Sequence, residues 1–220
     1  MILITGASSG LGASLAQLYA EQDDIAITGR NAERLEQVAE SIKRPINSYV
    51  CDLSDGQAVT QLFDALPSTP NMIIHCAGSG YFGPIENQSP DAIKTLIDNN
   101  LTSAILVLRE AVKRYKDQAV TVVIVMSTAA LAAKAEESTY CAVKWAVKGL
   151  IESVRLELKS SPMKLIAVYP GGMDTDFWPT SGKQTDTNSF MAADEAAGML
   201  KQALQSTAHG YISDLTITRG

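Results

Sequence analysis

The sequence predicts an α/β fold, a doubly wound parallel sheet of about seven strands with helices on both faces. Short β-type runs alternate with longer helical patterns from one end of the chain to the other, as parallel strands joined by crossover helices require. Several of these runs are apolar throughout, which suits strands covered on both faces. The 220 residues, 46% of them hydrophobic, show no internal repeat and no Pro/Ser-rich linker, so residues 1–220 read as a single domain around one core.

In order, MILIT (1–5) is the first strand, and a glycine-rich turn leads from it into a helix over 10–22. DIAIT (24–28) is the second strand and is followed by a helix over 31–43 that Asn31 can cap. INSYVC (46–51) precedes a helix over 55–66, where Ser54 and Gln57 have the spacing of a capping box. NMIIHC (71–76) is the fourth strand. A long helical pattern then covers 89–117, with Pro90 at its first position after Ser89 and a break expected near Asn99 and Asn100. VTVVIVM (120–126), a helix over 138–160, KLIAVY (164–169), a helix over 192–206 and GYISDLTIT (210–218) complete the series. The stretch 171–191 reads as an irregular loop, yet it keeps Phe177, Trp178, Phe190 and Met191, and a loop that retains aromatics usually covers something.

Composition narrows the function classes. Eighteen basic against 24 acidic residues, with no long run of either sign, offer no footprint for nucleic acid. Cys51, Cys76 and Cys141 stand singly, which describes neither a disulfide framework nor a metal site and suits a reducing cytoplasm. No basic leader and no apolar run of roughly 20 residues is present, so no membrane association is expected.

Between the first strand and first helix stands Thr5-Gly6-Ala7-Ser8-Ser9-Gly10-Leu11-Gly12. Glycines there let the chain turn tightly and bring its backbone against a pyrophosphate at a helix N-terminus, where free N–H groups and the helix dipole favour an anion. No Lys-Ser or Lys-Thr follows the last glycine, which disfavours a nucleoside triphosphate. At the end of the second strand, where an NAD site would offer a carboxylate to the ribose, stand Gly29 and Arg30. An arginine can pair with a 2′-phosphate, so NADP(H) is favoured over NAD(H); the plain alternative is a solvated strand-end arginine. Asp52 either accepts from an adenine amino group or helps to cap the helix begun at Ser54.

Tyr140 and Lys144, four residues apart near the start of a helix, share one helix face. A tyrosine titrating at about 10 exchanges protons poorly at neutral pH, and a neighbouring ammonium stabilises its phenolate. Ser127 follows the fifth strand at the sheet's carboxyl edge, where open α/β sheets bind ligands; it either holds a carbonyl or is a strand-end turn serine.

TGASSGLG at 5–12, Asp52-Leu53, Cys76-Ala77-Gly78, Asn100-Leu101, Ser127, Tyr140-x-x-x-Lys144 and Pro170-Gly171 through Thr175 together resemble the short-chain dehydrogenase/reductase family, in order and over essentially the whole chain. The resemblance implies a Rossmann fold and an NADP(H)-dependent oxidoreductase that moves a hydride between nicotinamide and a small carbonyl or alcohol. It implies Tyr140 as general acid/base, Lys144 as the group that lowers its pKa and holds the nicotinamide ribose, Ser127 as carbonyl polariser and Asn100 in a proton relay. Gly6, Ser8, Ser9, Gly10, Leu11, Gly12, Arg30, Asn31, Asp52, Leu53, Ala77 and Gly78 would bind the cofactor, with Pro170, Gly171, Met173 and Thr175 along the nicotinamide end. His75 and Cys76 replace asparagines usual in the family, so whatever those amides brace is braced differently here. His75 reads as structural, His209 as a surface residue and Cys141 as packing.

Tyr81, Phe82 and Trp178 are candidate walls of a substrate pocket, with substrate entering beside the loop at 174–191. Apolar residues on the helices at 100–117 and 138–160, including Leu106, Trp145, Val147 and Leu150, suggest a homodimer or homotetramer; ordinary burial in a three-layer fold is the alternative. The rival from another class is a nucleotide-sensing or scaffold protein without turnover, which would need no Ser127, Tyr140, Lys144 and Asn100 set.

Overall fold

The computed structural model describes residues 1–183, 185–205 and 209–219. β1 (Ile2–Thr5), α1 (Gly10–Ala20), β2 (Ile25–Gly29), α2 (Ala32–Ser41), β3 (Asn47–Val50), α3 (Gly56–Asp64) and β4 (Met72–His75) form the first half. α4 (Pro90–Ile97), α5 (Ser103–Tyr115), β5 (Thr121–Val125), α6 (Ser138–Glu157) and β6 (Lys164–Pro170) follow. β7 (Met173–Asp174), α7 (Phe177–Thr180), β8 (Met191–Ala192), α8 (Ala193–Ala203) and β9 (Asp214–Ile217) close the described chain.

Seven strands make one parallel sheet in the order β3-β2-β1-β4-β5-β6-β9. The order reverses between β1 and β4, which opens a crevice at their carboxyl ends. β1 is buried along its whole length and β3, at the sheet edge, is mostly exposed, which explains the unbroken apolar run of one and the mixed run of the other. The sheet separates two cores. Leu3, Ile73, Val122 and Ile124 face α3, α5 and α6, while Ile2, Ile4, Ile74 and Val123 face α1 and α8 on the other side. Removing a fully buried side chain of this kind from water contributes about 2 kcal/mol, so the two faces hold the crevice on a stiff base.

Several local expectations are sharpened. Asn31 caps α2 by accepting from Arg34 N at 2.9 Å, and Ser89 with Pro90 opens α4. Ser54 does not cap α3. Asp55 does, accepting from Gln57 and Ala58 N–H, because Ser54 turns back to donate to Asp52 Oδ1 at 2.8 Å. The break at Asn99 and Asn100 is a π-helical turn, Asp98–Thr102, that joins α4 to α5. The stretch 171–191 is not wholly irregular, since β7 and β8 pair in parallel and α7 lies between them. The last strand is only Asp214–Ile217; Tyr211 and Ile212 precede it, exposed. The helix expected over 192–206 ends at Ala203 with Leu204 as its C-cap, while residue 206 and the last residue of the 1–220 domain lie outside the described residues. Among the described residues no helix is long and apolar enough to cross a membrane.

Candidate active site

The crevice is a cleft of about 500 Å³ that runs from β2 across β1 and β4 to the segment after β6. At its floor the turn from β1 to α1 is forced by glycine. Gly6 and Gly10 have φ of +66° and +53°, and a Cβ on Gly12 would sit 2.3 Å from Gly6 O, so this close approach of turn and helix admits no side chain. Ser9, the N-cap of α1, makes no side-chain capping bond, which leaves the first N–H groups of this helix facing the cleft.

Gly6, Ser8, Ser9, Gly10, Leu11 and Gly12 line one end, together with Arg30, Asn31, Asp52 and Leu53. Arg30 Nη1 donates to Asn99 Oδ1 at 2.6 Å, reaching from β2 to the π turn. Asp52 does not cap a helix; hydrogen bonds from the Ser54 N–H and hydroxyl hold its carboxyl below the usual range. Arg34, unremarked in the sequence, also lines this end and pairs with Asp176 at 3.4 Å.

Gly78, Ser127, Tyr140, Lys144, Pro170, Gly171 and Met173 also line the cleft, and so do Ala77 and Thr175, which lie against Gly6 and Gly10 of the glycine turn. One helical stripe explains the central pair. Tyr140, Lys144, Val147 and Ile151 recur at helical spacing on the buried face of α6, so the packing that anchors the helix also pulls Tyr140 and Lys144 out of water. The Lys144 ammonium lies 5.5 Å from the Tyr140 ring centroid. Ser127 Oγ accepts from Ala129 N at 3.1 Å, and its hydroxyl hydrogen-bonds the Tyr140 phenol.

Burial sets the protonation of this pair. The Tyr140 phenol is pushed well above 10, chiefly because Phe82 and Phe177 pack on it and exclude water; the Ser127 hydroxyl pulls it back and the Glu137 carboxylate raises it further. Burial likewise brings Lys144 down from 10.5 to about 8. Of the groups that act on the phenol here, it is the Ser127 hydroxyl that lowers it.

Asn100 is not in the cleft wall; Asn99 is. The π turn carries one extra residue and so rotates Asn100 inward, where Nδ2 donates to Ser79 O and Leu96 O, both at 2.9 Å. Its Oδ1 is buried without a partner beside Gly78, where a Cβ would lie 2.8 Å from that oxygen and 3.4 Å from Lys144 Nζ. Of the expected walls, Phe82 and Trp178 line the cleft. Tyr81 does not, because its hydroxyl accepts from Ser89 N at the start of α4. Phe177 and Glu137 line it as well.

His75 is fully enclosed, with Nδ1 at 2.9 Å from Thr5 Oγ1 and Nε2 at 3.5 Å from Ser103 Oγ, so it ties β1 and α5 to β4. Burial brings its pKa down to about 3, which keeps the ring neutral. Cys76 lines the cleft and Cys141 is buried beside Phe82, while His209 is exposed.

Residues 1–186 match the family described as short chain dehydrogenase. The chain belongs to the short-chain dehydrogenase/reductase family. A short-chain dehydrogenase/reductase from Vibrio parahaemolyticus is 56% identical in its crystal structure, each chain covering 100% of the other, with a TM-score of 0.92. A short chain dehydrogenase/reductase family oxidoreductase from Aeromonas hydrophila subsp. hydrophila is 32% identical, with 100% of this chain and 98% of that one covered and a TM-score of 0.83. An uncharacterized oxidoreductase of Staphylococcus epidermidis is 23% identical over 98% of this chain and 95% of its own. This short-chain dehydrogenase/reductase is an oxidoreductase, and it braces the centre of its sheet through His75.

Proposed function

We propose that this oxidoreductase is NADP(H)-dependent and moves a hydride between nicotinamide and a small carbonyl or alcohol, with Tyr140 as general acid/base. The observation that carries the reading is one cleft with an anion-ready glycine turn at one end and Ser127, Tyr140 and Lys144 at the other.

The residues fit a dinucleotide. The turn at Gly6 to Gly12 would cradle the pyrophosphate on backbone N–H groups at the start of α1. Arg30, with Asn31 and Arg34 beside it, would meet the 2′-phosphate, because a guanidinium fork matches phosphate oxygens and several of its donors stay free beside the Asn99 contact. Asp52 and Leu53 would border the adenine, and Ala77, Gly78, Pro170, Gly171, Met173 and Thr175 the nicotinamide end. Bound NADPH supplies the hydride.

The raised phenol of Tyr140 is neutral at pH 7 and so is a proton donor to a carbonyl oxygen, which suits reduction. Ser127, whose hydroxyl meets the Tyr140 phenol, would hold that same oxygen. Lys144, cationic below about pH 8, hydrogen-bonds the ribose and offsets negative charge left on Tyr140. The unpartnered Asn100 Oδ1 beside Gly78 is an acceptor for a water that would return protons through Lys144. We further propose self-association through the outer side of α5 and α6, where Ile105 and Trp145 are exposed; Val147, in contrast, belongs to the core, and Leu106 and Leu150 pack against it. A monomer at micromolar concentration in analytical ultracentrifugation would rule this assembly out.

The test is titration of the purified protein with NADPH and NADH, followed by NADPH oxidation against aldehydes, ketones and quinones. NADPH is expected to bind more tightly than NADH, and Tyr140→Phe to keep that binding while losing turnover by about 100-fold or more. Unchanged turnover in Tyr140→Phe, or no dinucleotide binding, would overturn the reading.

A further inference from the structure

The substrate end of the cleft holds a carboxylate that hydride transfer does not call for. Glu136 takes a left-handed φ of +62°, and its carbonyl accepts from Gly83 N at 2.7 Å. A non-glycine residue is held there only when its surroundings over-determine it. This turn delivers the next residue, Glu137, into the cleft wall one helical turn before Tyr140, where it is only 6% exposed. A carboxylate so far from water is costly unless a cation meets it.

The cation present is the protein's own. Lys183, from the segment after α7, brings Nζ to 3.4 Å from Glu137 Oε1, and the same ammonium lies 5.7 Å from the Phe82 ring centroid. Phe82, Tyr140, Phe177 and Trp178 form a continuous aromatic cluster with centroids 5.2 to 5.9 Å apart. A buried carboxylate beside aromatic faces is the chemistry that recognises an ammonium group. Lys134, which also lines the cleft, is turned to the Thr128 hydroxyl at 3.3 Å and does not neutralise Glu137.

Resting on the oxidoreductase reading, we propose that Glu137 and Phe82 form a subsite for a substrate ammonium, so that the substrate is an amino alcohol or amino ketone and Lys183 fills the subsite until it is displaced. The placement also serves the chemistry. Glu137 raises the Tyr140 phenol, and an ammonium seated on Glu137 cancels that influence where the proton is exchanged.

The probe is isopropylammonium chloride, titrated calorimetrically into the full-length protein at constant ionic strength, with 2-propanol as the neutral isostere. The protein is expected to bind the ammonium and not the alcohol. Glu137→Gln is expected to weaken that binding at least tenfold, and Lys183→Met to tighten it several-fold, with circular dichroism confirming the fold of each. Equal affinity in Glu137→Gln, or no gain in Lys183→Met, would overturn the proposal. NADPH titration of the same samples separates the two readings: failure to bind NADPH refutes the cofactor assignment and leaves the ammonium result standing.

Discussion

Lys144 is costly to fold, and replacing it should show that the active site is held at the expense of stability. Burial brings its pKa from 10.5 to about 8, and at about 1.4 kcal/mol per pH unit the protonated folded state carries a penalty of about 3 kcal/mol at neutral pH. Methionine keeps most of the buried hydrocarbon and removes the ammonium, so Lys144→Met should be more stable than the parent at pH 7, by up to about 6 to 10 °C in Tm for a chain of this size. The sign is set by proton uptake. Between pH 8 and 10.5 the unfolded chain holds a proton on Lys144 that the folded chain has released, so the parent gains stability from this group as pH rises and the advantage of the variant shrinks. Thermal unfolding of both proteins at pH 7 and pH 10 is the assay, and comparing them at each pH cancels the other groups that titrate there. A variant less stable than the parent at pH 7, or a gain that is the same at both pH values, would refute the reasoning.

Other perturbations follow from the same structure. His75, brought from 6.5 to about 3, costs the folded state stability as pH falls through that window, because the unfolded chain takes up a proton the folded one refuses; His75→Asn should flatten the drop in urea midpoint between pH 7 and pH 4.5. Gly12→Ala drives a Cβ to 2.3 Å from a backbone oxygen and should cost about 2 kcal/mol or more in denaturant unfolding, with loss of NADPH binding. Glu110, only 1% exposed, is held by Arg114 Nε at 2.7 Å, so Arg114→Met should destabilise by about 2 kcal/mol, less than a fully orphaned carboxylate because Arg109 and Lys113 stand 3.5 and 3.7 Å away. NADPH-dependent reduction should decline as pH rises through about 8, where Lys144 loses its proton, and a profile flat from pH 7 to 9 would count against its role.

The sheet was legible in the sequence because a parallel strand covered on both faces must be largely apolar, as β1, β4 and β5 are apart from Thr5, His75 and Thr121 at their ends. The glycine turn was legible for a similar reason, since positive φ and close approach leave few alternatives to glycine. Two-residue strands such as β7 and β8 have no period to read, and they form only because the loop folds back on itself. The sequence suggested a break near Asn99 and Asn100, but not that a π turn there shifts the helical phase by one residue, so that Asn99 lines the cleft while Asn100 turns inward. The raised Tyr140 phenol could not be read locally, because the rings that dry it, Phe82 and Phe177, lie far away in the chain. Glu137 escaped notice because its importance comes from the strained turn at Glu136 and the approach of Lys183, and spacing reveals neither.

In the proposed reaction this cleft passes a hydride from a nicotinamide to a carbonyl carbon with Tyr140 supplying the proton. The most direct measurement uses NADPH carrying deuterium at both C4 positions, incubated with the carbonyl panel and followed by mass spectrometry of the alcohols. An alcohol with one deuterium on its carbinol carbon is expected from the parent protein and not from Tyr140→Phe; NADPH that binds but transfers no label to any member of the panel would contradict hydride transfer in this cleft.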